Sequence, residues 1–206
     1  MKVLVACEYS GAVRDAFRAL GHDAWSCDLL PTDVPGPHIQ GDVVPLLTQG
    51  WDLMVAHPPC TYLATSGLHW NTRKGPDGQL TPEARARCAG TEAALEFVRL
   101  LLDAPIPRIA LENPIGCISS RIRKPEQIIQ PWQFGHDASK ATCLWLKGLA
   151  PLVHTNVLPG GRAARRANQT ASGQNKLGPS PDRWKLRSAT YPGIAAAMAA
   201  QWGGAQ

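Results

Sequence analysis

Asp52-Leu53-Met54-Val55-Ala56-His57-Pro58-Pro59-Cys60 is the stretch that decides the fold. Consecutive apolar residues without polar alternation mark a strand buried on both faces, as in a parallel sheet covered by helices. Pro58-Pro59 punctuates its end. Cys60 is therefore expected in a loop at the carboxyl edge of the sheet, where open α/β folds carry their chemistry.

A second run, Arg108-Ile109-Ala110-Leu111, passes into Glu112-Asn113-Pro114, which places a carboxyl group at the same edge. Taken singly, Pro-Pro is loop punctuation, a free Cys is most often a small buried hydrophobe, and Glu-Asn-Pro is a strand stop. The pairing of the two at strand ends is what carries information. Lys2 to Cys7 reads as a short buried strand, Ser10 to Leu20 as a helix with Val13, Phe17 and Leu20 at helical spacing, and Ala24 to Cys27 as a second strand. Thr81-Pro82-Glu83 predicts a helix start, with Thr81 as N-cap and Pro82 at the first helical position. The helix continues to about Leu102 with Ala94, Leu95, Val98, Leu101 and Leu102 on one face. Cys143 to Lys147 is a further strand, and Ile194 to Trp202 a closing Ala-rich helix. Strands alternating with helices predict an α/β, Rossmann-like fold with a mostly parallel, doubly wound sheet. Residues 67–80 read as a mobile loop after the thiol. Residues 160–181 are polar and turn-rich, either a disordered loop or a small nucleic-acid-binding insertion.

With 206 residues, 44% of them hydrophobic, the chain fits one α/β domain and a small appendage. We divide it into a catalytic domain over 1–150, a basic insertion over 151–187, and a C-terminal segment over 188–206 that packs back on the domain. The six cysteines contain no Cys-x-x-Cys pair, which argues against a disulfide framework or a structural zinc, so reduced thiols and no metal are expected. No apolar run approaches the roughly 18 residues of a membrane span, and Met1 to Ala6 is too short for a signal peptide. A soluble, cytoplasmic protein with no membrane partner is expected. The net charge of +5 is unevenly spread. Between Pro151 and Thr190 lie Arg162, Arg165, Arg166, Lys176, Arg183, Lys185 and Arg187 against Asp182 alone, a stretch whose natural partner is a polyanion.

The first strand-to-helix junction, Ala6-Cys7-Glu8-Tyr9-Ser10-Gly11, is a tight turn that lets a nucleoside cofactor approach the backbone, but it lacks the Gly-x-Gly-x-x-Gly phosphate fingerprint. Asp28, after the second strand, stands where ribose hydroxyls are met in such folds, and Asp42 is placed to accept from an adenine amino group. Each alone is equally a turn residue or a helix cap.

In this order the motifs resemble the DNA cytosine-C5 methyltransferase family, whose thiol lies in a Pro-Cys loop and whose carboxylate lies in a Glu-Asn-Val segment. Pro59-Cys60 and Glu112-Asn113-Pro114 match those positions. The resemblance implies that residues 4–11 form an S-adenosyl-L-methionine loop flanked by Pro58, with Asp28 on the ribose and Asp42 on the adenine. Phe134-Gly135 followed by Lys140 and Thr142 resembles a degenerate Tyr-Gly…Gln-x-Arg-x-Arg motif, and Ser188 to Ala199 resembles the family's final Gly-Asn helix. The match covers residues 2 to about 147. Glu8 and Ser10 replace glycines of the family pattern, Pro114 replaces Val, Thr61 replaces Gln, and Lys140 and Thr142 replace two Arg.

The implied chemistry needs these residue types. Carbon 5 of cytosine is a poor nucleophile until a thiolate, here Cys60, adds at carbon 6 and makes the ring an enamine that attacks a sulfonium methyl. Glu112 near ring nitrogen 3 and the exocyclic amine offsets charge as a proton donor, and Asn113 fixes its loop. The cytosine in DNA is flipped out or already single-stranded. His69, Trp70, Arg73 and Lys74, in the loop after the thiol, offer stacking and phosphate contacts. Arg162, Arg165 and Arg166, with Asn168, Gln169 and Gln174, grip phosphates and read few base edges, so a short or relaxed recognition sequence is expected unless the segment is only a solvated loop. A compact enzyme of this kind suits a phage, a mobile element or a restriction-modification setting in a bacterial cell.

Other classes fit less well. A Cys phosphatase needs an Arg cradle after its thiol, and residues 61–67 hold none. A Cys-His hydrolase would recruit His57, His69 or His136 as its base. Methylation of the exocyclic N4, for which Pro58-Pro59 also provides a frame, remains open, as do a free nucleotide substrate and a non-catalytic DNA-binding module of the same fold.

Overall fold

In the computed structural model, which describes residues 1–181 and 183–204, the apolar runs assemble into one seven-stranded sheet. Its strands are β1 (Lys2–Ala6), β2 (Asp23–Asp28), β3 (His38–Gln40), β4 (Leu53–Ala56), β5 (Arg108–Pro114), β6 (Gln127–Ile129) and β7 (Thr142–Lys147), in spatial order β3-β2-β1-β4-β5-β7-β6. The helices are α1 (Ala12–Ala19), α2 (Thr65–Leu68), α3 (Pro82–Leu102), α4 (Ile118–Arg121), α5 (Arg183–Ser188) and α6 (Pro192–Gly203). Asp182 and the last two residues of the predicted C-terminal segment lie outside the described residues.

Strands β1 to β5 pair in parallel, and β7 runs antiparallel between β5 and β6. This is the Rossmann-like α/β architecture that the alternation of strands and helices predicts. The continuous apolar runs are explained by burial on both faces. Leu4, Met54, Ile109 and Leu111 pack on one side with Leu95, Val98 and Leu101 of α3. Val3, Val5, Val55 and Ala110 pack on the other with Val13 and Phe17 of α1 and with Ala195, Met198 and Trp202 of α6. Helices α1 and α3 thus cover opposite faces, as right-handed crossovers leaving in opposite directions from β1 and β4 require. The chain reverses direction across the sheet between β1 and β4, and their carboxyl ends flank the crevice where such sheets hold ligands.

Local signals account for the element ends. Thr81 Oγ1 accepts the Ala84 N–H at 3.2 Å, and Pro82 opens α3. The short edge strands β3 and β6 have no counterpart among the predicted strands. Residues 65–72, within and just before the predicted loop, form α2 and a 3-10 turn held on α3. There Arg87 donates to the Thr61 and Gly67 carbonyls, and Asn71 donates to Thr91. Among the described residues, no helix is long and apolar enough to cross a membrane.

Candidate active site

Because β7 is antiparallel to β5, its first residue, Thr142, lies at the same edge as the ends of β4 and β5, opposite Pro114. That edge gathers His57 to Cys60 after β4, Glu112 and Asn113 at the end of β5, and Lys140 and Thr142 at the start of β7. The β4–β5 register runs to Ala56 opposite Leu111, so the next residues, His57 and Glu112, come abreast on one face. His57 Nδ1 lies 3.1 Å from Glu112 Oε2, with the two side chains 12% and 14% exposed. One step further, Asn113 Nδ2 donates to the Pro58 carbonyl at 2.8 Å, in a buried contact that ties the end of β5 to the thiol loop.

The same two loops are laced beyond the strands. Thr65 N–H donates to the Ile115 carbonyl at 3.0 Å, and Cys117 N–H to the Leu63 carbonyl at 2.9 Å. Gly116 allows this approach, since a Cβ there would run into the Leu63 carbonyl oxygen. Cys60 itself is exposed. Burial of its sulfur and the nearby charge of Glu112 push the thiol up from its ordinary value, while a backbone hydrogen bond and the charges of Lys140 and Arg187 pull it back in part. For Glu112, burial works toward a higher pKa, but the His57 hydrogen bond, the charges of Lys140 and His57 and the Thr142 hydroxyl outweigh it. At rest the site therefore holds a neutral thiol beside a carboxylate. Glu112, Lys140 and Thr142 line one side of a small depression, with Tyr191, Ile194 and Met198 on the other.

Around β1 and β2 lies a second cluster. Cys7 has φ +58°, a left-handed backbone that costs a non-glycine residue energy and appears where a turn is tightly constrained. Its thiol is pushed up to about 12 by burial, then by the charges of Asp28, Cys27 and Asp42, so these four groups share one neighbourhood. Asp28 and Asp42 each accept a nearby backbone N–H, from Leu30 and Val44. Glu8 is 4% exposed, and its carboxylate accepts from Val13 N at 2.7 Å and Arg14 N at 3.2 Å. The orphan donors at the start of α1 are thus satisfied by the chain itself, the place a phosphate takes in dinucleotide folds. Ala6 and Gly11 are buried with it, and Ser10 Oγ bonds Glu8 at 3.2 Å.

A strap joins the clusters. Tyr9 Oη and Ser188 Oγ are 2.8 Å apart, Tyr9 stacks at a tilt on Trp184, and Lys185 Nζ meets Asp33 at 2.6 Å. Lys140 Nζ donates to the carbonyls of Ser188 and Ala189. Residues 184–189 thus span from the first turn to the Glu112 depression, carrying Arg187 near the thiol.

The predicted nucleic-acid residues separate into two kinds. His69, Trp70, Arg73 and Lys74 are exposed, with His69 stacked on Trp70 at 4.8 Å and the Arg73 guanidinium 5.5 Å from the Trp70 ring. Arg162 and Arg165 are exposed as well. Arg166 is 5% exposed, lies over the Trp132 ring, donates to the Gly161 carbonyl and faces Asp137, so its guanidinium belongs to the fold. Among the described residues, no three His, Cys, Asp or Glu side chains gather as a metal site.

The pairing of His57 with Glu112 and the strap with Arg187 went unforeseen in the sequence. The first had a signal: His57-Pro58-Pro59 and Glu112-Asn113-Pro114 are parallel motifs ending consecutive strands, and aligning them sets His57 against Glu112 and Pro58 against Asn113.

No protein-family model matches the chain, and no curated protein does. Among solved structures, it is similar to a presumed DNA modification methyltransferase encoded within an E. coli prophage, with TM-score 0.47 and 12% identity over 78% of this chain and 53% of that one. It is also similar to the Entamoeba histolytica methyltransferase EhMeth, with TM-score 0.46 and 11% identity over 77% of this chain and 57% of that one. The chain thus spans little more than half the length of either structure.

Proposed function

We propose that this chain transfers a methyl group from S-adenosyl-L-methionine to carbon 5 of cytosine in DNA through a covalent Cys60 adduct. The observation that carries this reading is the Asn113–Pro58 hydrogen bond at the joined ends of β4 and β5, which holds an exposed thiol beside a carboxyl group at the ligand edge of the sheet.

The first turn suits such a cofactor. It is a nucleoside without phosphates, and Glu8 already fills the anion position at the start of α1. Asp28 and Asp42 offer acceptors for ribose hydroxyls and an adenine amino group, and their negative charge suits a cation. When bound, S-adenosyl-L-methionine supplies an electrophilic methyl on a sulfonium. Cys60 and Glu112 carry the addition and Asn113 fixes their spacing; once carbon 5 has taken the methyl and left a neutral thioether behind, the carbon-5 proton would pass to a base or water as the carbon 6–sulfur bond breaks and frees Cys60. The proton leaving the Cys60 thiol is the one Glu112 needs, so the pair keeps a single negative charge as it passes from carboxylate to thiolate. Loss of the Glu112 charge removes one cause that holds the thiol up. The thiolate adds at carbon 6 of the pyrimidine, and Glu112, now an acid, meets nitrogen 3. The Thr142 hydroxyl and the charge of Lys140 stabilise the carboxylate from the β7 side. The exposed His69–Trp70–Arg73 stack fits a nucleobase beside the target, and Arg162 and Arg165 fit phosphates.

One observation favours methylation of the exocyclic N4 instead: Pro58-Pro59 stands at the end of β4 and also frames an exocyclic amine, and amino transfer needs no thiolate. A single experiment separates the readings. DNA is incubated with radiolabelled S-adenosyl-L-methionine and its nucleosides are resolved. We expect 5-methylcytosine from the wild type and none from Cys60→Ser. N4-methylcytosine that survives Cys60→Ser would establish amino transfer, and neither incorporation nor cofactor binding would establish a non-catalytic module.

A further inference from the structure

We propose that His57 is the positioning residue of Glu112: its Nδ1–H pins one carboxylate oxygen, so that Glu112 offers the other to the pyrimidine in one orientation and one resting charge state. This deepens the methylation reading and rests on it.

The geometry supports the role from three sides. First, the pair is set by backbone register, since Ala56 and Leu111 are opposed and His57 and Glu112 follow them. No side-chain search is needed to bring the imidazole and the carboxyl group together. Second, the 3.1 Å contact is between Nδ1 and Oε2, and the other ring nitrogen, Nε2, is buried with no hydrogen-bond partner among the described residues. A carboxylate only accepts, so Nδ1 carries the proton of this contact. Nδ1–H is therefore the donor that fixes this carboxylate oxygen. Third, Nε2 does not bond the Cys60 sulfur, so His57 is not the base of a Cys-His pair. Its effect on chemistry passes through Glu112.

The groups that face Glu112 from the packed elements are His57 after β4, Lys140 and Thr142 at the start of β7, the Cys60 thiol in the adjoining loop and the Cys143 thiol on β7, with Arg187 of the strap near Cys60. Of these, only His57 combines a direct hydrogen bond to the carboxylate with a ring nitrogen left over. Glu112 must be a carboxylate to take the thiol proton, so transfer should rise with pH as Glu112 ionises. The His57 bond lowers the Glu112 pKa. Removing the bond raises that pKa and moves the ascending limb of the pH–rate profile to higher pH.

The test uses the full chain as wild type, His57→Asn and His57→Phe. Asn can keep a donor near the Nδ1 position, and Phe cannot. Long-range proton–nitrogen NMR of wild type, with the His57 signal identified by its loss in His57→Asn, should show Nδ1 protonated at pH 7. An Nε2–H tautomer with Nδ1 bare overturns the proposal. In methyl transfer, His57→Phe should lose about 10- to 100-fold in kcat with KM for DNA and cofactor unchanged, and its ascending limb should shift upward. His57→Asn should stay within about threefold of wild type, given that it keeps the hydrogen bond. Equal loss in both variants, or an unmoved limb in His57→Phe, overturns the proposal. Absence of transfer by a folded wild type that shows the Nδ1–H tautomer overturns the methylation reading instead, and with it the role assigned to His57.

Discussion

Replacing Asn113 by Ala tests whether one hydrogen bond holds the thiol loop. Asn113 is 1% exposed, and its amide donates to the buried Pro58 residue's carbonyl at 2.8 Å. The substitution removes that bond, worth about 1 kcal/mol net, and leaves a buried carbonyl without a donor at a further cost of about 1–3 kcal/mol. The Asn113 side-chain oxygen Oδ1 is itself buried without a partner among the described residues, so its removal returns part of this. A net destabilisation of about 2 kcal/mol follows, which at an m-value on the order of 2 kcal/mol per molar urea lowers the unfolding midpoint by about 1 M. Released from β5, the Cys60 loop should shift on the scale of an ångström, for which about 100-fold is lost in kcat. Urea titration followed by fluorescence and methyl transfer at saturating DNA measure the two effects. A variant about 2 kcal/mol less stable yet fully active would refute the positional role of the bond, and one with unchanged midpoint would refute the energetic accounting.

Trp70 is 46% exposed, so Trp70→Ala should leave the urea midpoint within about 0.5 kcal/mol of wild type while weakening DNA binding by about 1–3 kcal/mol; unaltered DNA affinity would remove it from the interface. Arg162→Ala and Arg165→Ala should each lower the slope of log K against log salt by about 0.9, whereas the buried Arg166→Ala should act on stability, by about 2 kcal/mol; a reversal of that pattern in salt titrations and melts would contradict the placement of the three guanidiniums. Burial raises Cys7 to about 12 and Cys27 to about 11 from 9.0, so the stability they contribute is whole below pH 9 and is lost as pH climbs toward those values, because the unfolded thiols ionise first. For Cys7 the full loss is at most about 4 kcal/mol. Urea midpoints should therefore fall between pH 8 and 11, less steeply in a Cys7→Ala, Cys27→Ala double variant, and equal slopes in the two proteins would count against it. At pH 8 alkylation should mark the exposed Cys60 while sparing buried Cys27 and Cys143, as read by mass spectrometry.

Much of the fold was legible because its strands are buried on both faces and leave unbroken apolar runs. Lys2–Ala6, Leu53–Ala56 and Thr142–Lys147 lie within or beside the segments expected, and the Thr81 cap with Pro82 marked the start of α3. His38–Gln40 and Gln127–Ile129 escaped because three-residue edge strands carry no periodicity. At the site, residue type and strand ends brought Cys60 and Glu112 to one edge, but which nitrogen of His57 meets which oxygen depends on register, a property of two strands together. Glu8 shows another limit. Its place in the first turn pointed to a cofactor, while its carboxylate reaches forward to Val13 and Arg14, a local bond that Ser10 and Gly11 masked as the more familiar cap residues. Arg166 has a local bond to the Gly161 carbonyl, but Trp132 and Asp137, which also hold it, are distant in sequence.

Under the proposed methylation, Gly116 and the backbone bonds around it limit how the site could meet bases of varying size. With Leu63, Thr65, Ile115 and Cys117 joined main chain to main chain, the thiol and the carboxyl group ride on a single rigid plate, and their spacing works as a fixed gauge. Accommodation of a bulkier ring must then come from the opposite wall, where Tyr191 and the 184–189 segment are held mostly by side-chain contacts that break one at a time. Variants selected for new pyrimidines should accumulate changes there and leave the plate untouched.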